Sequence, residues 1–205
     1  MSLTRAPRRP LRRTAALAGA AVLASFALAA CSSGQNAGGP SDGQGFVGGK
    51  KDARINQYPA KDRKSAPDIT GKSLDGKPIK LSDYRGEILV LNVWGSWCSP
   101  CRAEAKYLRD VAGQTQDKGV RFLGVNVRDP DPANARAFER NHRMPYPSIY
   151  DPSSRQLVRF GSAVPVTIPT TLVIDRDGKI AARAIMPVSD ENLHTMIDPL
   201  VAEKR

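Results

Sequence analysis

Two stretches carry apolar side chains at successive rather than alternating positions: residues 88–93 (Ile-Leu-Val-Leu-Asn-Val) and 121–127. Short runs of this kind, bounded by turn residues, predict strands covered on both faces, as at the centre of a sheet. Elsewhere the period changes. Ala103, Tyr107, Leu108 and Val111 recur at helical spacing and predict a helix that follows Cys101 and runs to about Gln116. Leu193, Met196, Ile197 and Leu200 predict another over 189–203, kinked or ended early by Pro199. Residues 133–142 and 152–160 read as further helices, 147–150 as a short strand and 82–86 as a connector. Asp75-Gly76 and Asp177-Gly178 are hairpin signals, the first between short runs at 69–73 and 78–81, the second between 171–175 and 179–185. Strand, helix, strand, helix, then hairpin and helix describe an α/β fold with a mixed sheet covered on both sides.

The first 66 residues do not follow this pattern. Arg5 to Arg13 form a basic region, and residues 14–30 an Ala/Leu-rich stretch without charge, so residues 1–30 read as an export signal. Its end, Leu28-Ala29-Ala30-Cys31, resembles the lipobox of bacterial lipoproteins, which implies lipid attachment at Cys31. The competing readings are cleavage at the Ala27-Leu28-Ala29 site or retention as a membrane helix. The segment is short for a span of about 20 residues, and an unpaired Cys31 would be a reactive leftover. Arg12-Arg13 also admits twin-arginine export. Residues 31–66, rich in Gly, Ser, Gln, Asn and Lys, read as a tether; about 35 flexible residues reach on the order of 30 to 35 Å. The folded domain is then expected over 67–205.

Composition changes the picture in one respect. A chain of 205 residues with 40% hydrophobic residues can build one domain with a sizeable core. The formal charge of +11 suggests nucleic acid until it is located. Five of the 31 basic residues lie in the first thirty positions, which hold no acid, so the remaining 26 face 20 acids, a net +6. That excess is spread out, without a basic patch interleaved with aromatics, and nucleic acid is not an expected partner. An anionic membrane surface suits it better.

The chemistry lies in Trp97-Cys98-Ser99-Pro100-Cys101, between the first buried strand and the helix. A cysteine at the first turn of a helix meets unpaired backbone N–H groups and the positive end of the helix dipole. Both favour the thiolate, the nucleophile of disulfide exchange. Cys101, one turn on, is placed to resolve a mixed disulfide, and Pro100 fits a first helical turn. A structural zinc site would need four ligands, but only Cys31, His142 and His194 remain and none forms a second ligand pair. A purely structural disulfide across two residues would close almost no loop. A redox dithiol needing neither metal nor cofactor is the expectation. One cysteine for lipid and two for chemistry leave none to mispair in an oxidising compartment.

These residues carry a family resemblance. Ala66-Pro67-Asp68, the run 91–104 (Leu-Asn-Val-Trp-Gly-Ser-Trp-Cys-Ser-Pro-Cys-Arg-Ala-Glu) and 168–175 (Ile-Pro-Thr-Thr-Leu-Val-Ile-Asp), with an insertion between Val127 and Gly161, resemble the thioredoxin-like fold. Within it they resemble the extracytoplasmic TlpA/ResA-like thiol-disulfide oxidoreductases, often lipoproteins. The resemblance implies a central mixed β-sheet flanked by helices, with an N-terminal β-hairpin and the central insertion. It implies Cys98 as attacking thiolate, Cys101 as resolving thiol and Pro169 as a cis-proline facing them. Ile168 would present backbone groups to a substrate strand. Asn92 stands where cytosolic thioredoxins have a buried aspartate; Glu104 matches the family's alternative acid, with a raised pKa and a proton to exchange with Cys101. A solvated glutamate paired with a nearby Arg or Lys is the competing reading. Trp94 reads as packing, Trp97 as shielding and substrate contact, and His142 and His194 as surface residues. The lengthened segment 161–169 and Met186-Pro187, where a glycine is common, depart from the pattern near the rim that would meet a partner.

The implied function is a membrane-tethered reductant of protein disulfides, fed by a membrane electron donor of thiol-disulfide type, with apocytochrome c cysteines the first substrate suggested. The competing functions are a disulfide-forming oxidant, a peroxiredoxin-like peroxidase and a non-catalytic docking lipoprotein.

Overall fold

The computed structural model describes residues 54–165 and 167–203. The expected signal segment, Cys31 and most of the expected tether lie outside the described residues. Nine strands occur among the described ones: β1 (Ile55–Gln57), β2 (Lys64–Ser65), β3 (Thr70–Lys72), β4 (Pro78–Lys80), β5 (Ile88–Trp94), β6 (Val120–Val127), β7 (Ser148–Asp151), β8 (Thr170–Ile174) and β9 (Lys179–Ala184). The helices are α1 (Ser99–Thr115), α2 (Pro132–His142), α3 (Arg155–Val158) and α4 (Asp190–Ala202). The main sheet runs β1-β9-β8-β5-β6-β7, with β2 also on β9. β5, β6 and β7 are parallel, and β8 and β9 join antiparallel. This is a thioredoxin-like α/β fold.

The centre is β5, buried along its whole length. Because side chains alternate across a strand, Leu89, Leu91 and Val93 enter one core with Leu123, Val125, Leu172 and Ile174. Ile88 and Val90 enter the other, against Leu108 and Val111 of α1 and Leu193, Met196, Ile197 and Leu200 of α4. Each such side chain, fully buried, contributes roughly 1.5–3 kcal/mol. The same alternation turns Asn92 and Trp94 toward α1, the face that carries the chemistry.

Four expectations change. The tether does not run to residue 66: β1 and β2 pair antiparallel with β9, Ile55 opposite Ala184 and Lys64 opposite Ile180. Tyr58 is buried, and Arg63 bonds Asp175 at 3.1 Å and Glu203 at 2.5 Å. These edge strands are held by backbone bonds and by partners more than a hundred residues away, which local composition does not reveal. The hairpin β3–β4 forms as predicted, but as a separate two-stranded sheet, and it is not the first element. The helix over 152–160 shrinks to α3, whose first turn is capped by Asp151, its carboxylate accepting from the Arg155, Gln156 and Leu157 amides. Pro199 neither ends nor replaces helix: α4 continues to Ala202. Proline cannot bond the carbonyl four residues back, and that carbonyl, Thr195 O, accepts instead from Gln57 Nε2 of β1 at 3.1 Å.

Candidate active site

β5 ends at Trp94, whose ring is buried and stacks on Phe138 with centroids 4.3 Å apart. The chain then turns through Gly95 to Cys98. A side chain at Gly95 would lie 2.8 Å from the Trp97 indole nitrogen, so the approach of the Trp97 ring requires glycine. Cys98 is the residue flanking α1 rather than a member of its first turn: its φ/ψ of −79°/108° is extended, and its Sγ accepts from the Cys101 amide at 3.2 Å. A sulfur atom thus does the work an N-cap oxygen usually does. Cys98 and Cys101 form a disulfide with Cα atoms 5.3 Å apart. Cys98 is 4% exposed and Cys101 1%, so Cys98 is the more open of the two.

The elements around the pair bring the other predicted residues to the same end. The β5–β8 register sets Thr170 opposite Val93, so the Ile168–Pro169 peptide, which is cis, arrives level with Trp94. Ile168 packs on the cluster that contains Trp94, Cys98 and Cys101. Trp97 lies 49% exposed, with the Arg128 guanidinium 4.9 Å from its ring centre. An exposed indole beside a buried disulfide is an apolar platform at the reactive sulfur.

Glu104 lies one turn beyond Cys101, 1% exposed and without the solvated lysine or arginine partner of the competing reading. Its carboxyl oxygens accept from Asn92 Nδ2 and from the Val188 backbone N–H, both at 2.9 Å. The same Asn92 amide donates to Thr171 Oγ1 at 3.1 Å, which fixes its orientation. Burial pushes the Glu104 pKa up to about 7, although the Val188 and Asn92 bonds act against it. A carboxyl with that affinity can accept or return a proton near neutrality. The Val188 contact was illegible in the sequence, since a backbone N–H carries no residue signature; it falls beside Met186-Pro187, where the family pattern is broken.

A second buried carboxylate, also unforeseen, holds the loop. Asp129, 1% exposed, accepts from the Ser96 amide at 2.8 Å, Ser96 Oγ at 2.6 Å and Asn126 Nδ2 at 2.6 Å. Arg102 Nη1 donates to Ser96 O at 2.8 Å, so Ser96 is tied on both sides. His142 packs against Phe138 with its ring tilted by 40°, and His194 contacts Asp198 and Gln114. Among the described residues no group of three or more His, Cys, Asp or Glu could hold a metal.

A thioredoxin-like sheet with a two-cysteine disulfide at the head of α1 defines the class: a thiol-disulfide oxidoreductase fold and site. The family follows from comparison: residues 63–183 match the AhpC/TSA family, and the chain belongs to it. It is related there to thiol-disulfide oxidoreductases of the ResA and DsbE kind. It is 35% identical to the thiol-disulfide oxidoreductase ResA of Geobacillus thermodenitrificans over 116 residues, 57% of this chain and 64% of that one, a little under two thirds of that relative's length. The ResA of Bacillus anthracis is 29% identical over 150 residues, 73% of this chain and 80% of that one. The solved structure of a secreted thiol-disulfide isomerase from Corynebacterium glutamicum is similar with a TM-score of 0.71 and 33% identity, covering 78% of this chain and 99% of that one. That of a DsbF homologue from Corynebacterium diphtheriae gives 0.69 and 35%, covering 77% and 98%.

Proposed function

We propose that the protein is a membrane-tethered, extracytoplasmic thiol-disulfide oxidoreductase that reduces disulfides in other proteins. In the reduced enzyme the Cys98 thiolate attacks a substrate disulfide, forming a mixed disulfide and releasing one substrate thiolate. Cys101 then attacks Cys98, the second substrate sulfur leaves, and the Cys98–Cys101 disulfide remains, two electrons having passed to the substrate. Glu104 takes the proton that Cys101 gives up. Ile168 and Pro169 offer the backbone edge against which an extended substrate lies, and Trp97 the apolar contact beside it. A membrane protein of thiol-disulfide type returns the enzyme to its dithiol state.

The observation that carries this reading is the placement of Cys98 Sγ at the head of α1, accepting the Cys101 amide, where unpaired N–H groups and the helix dipole stabilise a thiolate. The sequence supports the layout: residues 1–30 as signal, Cys31 as lipid attachment point and a tether now ending near residue 54. The similar secreted isomerase supports an extracytoplasmic setting, and apocytochrome c cysteines are the substrate favoured by the resemblance. Redox titration of the full chain, paired with trapping by Cys101→Ser, tests it. The expected results are a midpoint below that of the compartment and mixed disulfides with thiol proteins; a strongly oxidising midpoint would reassign the protein to disulfide formation or isomerisation.

A further inference from the structure

Between the head of α1 and the facing side of α2 the surface is hollowed into an open groove of about 250 Å³, whose wall includes Ser96, Arg102, Asn134, Phe138, Asn141 and His142. Residues 134, 138, 141 and 142 recur at helical spacing, so one face of α2 supplies most of the wall. This helix lies in the insertion between Val127 and Gly161, and the stack of its Phe138 on Trp94 holds it beside the dithiol loop. Ser96 stands two residues before Cys98. Arg102 is positioned in advance: its Nη1 donates to Ser96 O at 2.8 Å, and Ser96 is fixed from its other side by Asp129. That bond uses one of several N–H donors of a guanidinium, the side chain whose planar fork best matches a carboxylate.

The groove carries charge of one sign. Among the described residues no acidic side chain forms its wall, and the acids of the two helices are engaged elsewhere. Glu104 is held by Asn92 and Val188, Asp110 pairs with Arg109 at 2.8 Å, Glu139 bonds Ser148, and Asp131 caps α2 by accepting from the Ala133 amide. Burial first, then Arg102 and Arg109, lower the His142 pKa, so the imidazole is neutral near pH 7 and can donate or accept. Asn134 and Asn141 add amides that do the same. A cation beside neutral donors, above an aromatic ring, is complementary to a carboxylate on a short apolar stem. We infer that this groove selects the substrate of the proposed exchange, on which the inference rests: it takes an acidic segment of the substrate protein next to the disulfide under attack, an Asp or Glu carboxylate pairing with Arg102. The contact lies on the α2 side of Cys98, away from the Ile168–Pro169 edge, so the substrate is held on both sides of the reacting sulfur.

The test uses the full, reduced chain and short peptides whose cysteine is disulfide-bonded to thiopyridine, differing only in whether glutamate, glutamine or lysine flanks it. Release of the thiopyridone chromophore reports attack by Cys98. The glutamate peptide is expected to react about tenfold faster than the lysine peptide at low salt, and the advantage to shrink at high salt. Arg102→Gln and Asn141→Asp, the second of which leaves the Cys98 loop untouched, should each bring that ratio close to one. Taking the ratio cancels any change in Cys98 itself. A parent ratio of one, or a preference that survives either substitution, overturns the inference. The oxidised parent chain gives a readout that needs neither turnover nor a variant. Titration with the glutamate peptide carrying serine in place of its cysteine is expected to shift the NMR signals of the Ser96, Asn134, Asn141 and His142 amides; no shifts, or shifts confined to other parts of the surface, overturn the inference. If these shifts appear while the reduced parent reacts with none of the peptides, it is the exchange that fails rather than the groove.

Discussion

Glu104 and Asp129 flank the same dithiol and are equally buried, each 1% exposed, yet they are built for opposite purposes. Asp129 accepts from three donors, all within reach of the Gly95–Trp97 turn, and so fixes where Cys98 sits. Glu104 accepts from two N–H groups in an otherwise apolar site, and burial outweighs them, leaving its proton affinity near neutrality. Burial alone therefore does not tell a structural carboxylate from a chemical one. What separates them is how fully the charged form is solvated by protein dipoles.

Both carboxylates serve the dithiol between them, so the largest effect belongs to the sulfurs. Cys98→Ser is expected to abolish reaction with a small disulfide, a fall of roughly a thousandfold or more, whereas Cys101→Ser should keep the first attack and accumulate a mixed disulfide. A first attack that survives in Cys98→Ser and is lost in Cys101→Ser would reverse the roles.

Asp129→Ala comes next. It leaves the Ser96 amide, the Ser96 hydroxyl and the Asn126 amide without an acceptor, and should cost about 4 kcal/mol of stability, read from the urea midpoint at constant slope. A loss under 1 kcal/mol would mean that the loop does not depend on this carboxylate.

Glu104 should show itself in pH dependence rather than in raw stability. Below about pH 4.5 its carboxyl is protonated both folded and unfolded and costs nothing. Between about 4.5 and 7 the folded chain keeps a proton that the unfolded chain has lost, so stability falls as pH rises, and above about 7 the loss is complete. The total is roughly 3 kcal/mol. Glu104→Gln should flatten that segment of the stability–pH curve; a slope that survives the substitution would place the titrating group elsewhere.

The smallest effect lies far from both carboxylates and calibrates them. Gln57→Ala should cost about 0.5 kcal/mol through the lost bond to the exposed Thr195 carbonyl, and almost nothing in a Pro199→Ala background, where residue 199 regains its own amide hydrogen. Additive costs in the double variant would contradict the coupling.

Which of these features were legible in sequence follows from how far apart the partners lie. β5 and α1 announce themselves by local periodicity, and Cys98 and Cys101 by spacing and position between the two. Glu104 is one helical turn from Cys101, so its place could be read locally. Asp129 reads only as turn punctuation before Pro130, because its partner Ser96 is 33 residues away. Val188 contributes a backbone hydrogen, which no side-chain pattern encodes. β1 and β2 resemble tether in sequence because edge strands of three and two residues carry too few apolar positions to form a pattern.

The most direct measurement is the ionisation of Cys98 in the reduced full chain, followed by thiolate absorbance and by the pH dependence of alkylation. If the head of α1 activates this sulfur, the first thiol to ionise should do so well below the ordinary cysteine value of about 8.5. A titration at or above that value, with slow alkylation at neutral pH, would contradict the placement of the nucleophile and the exchange built on it.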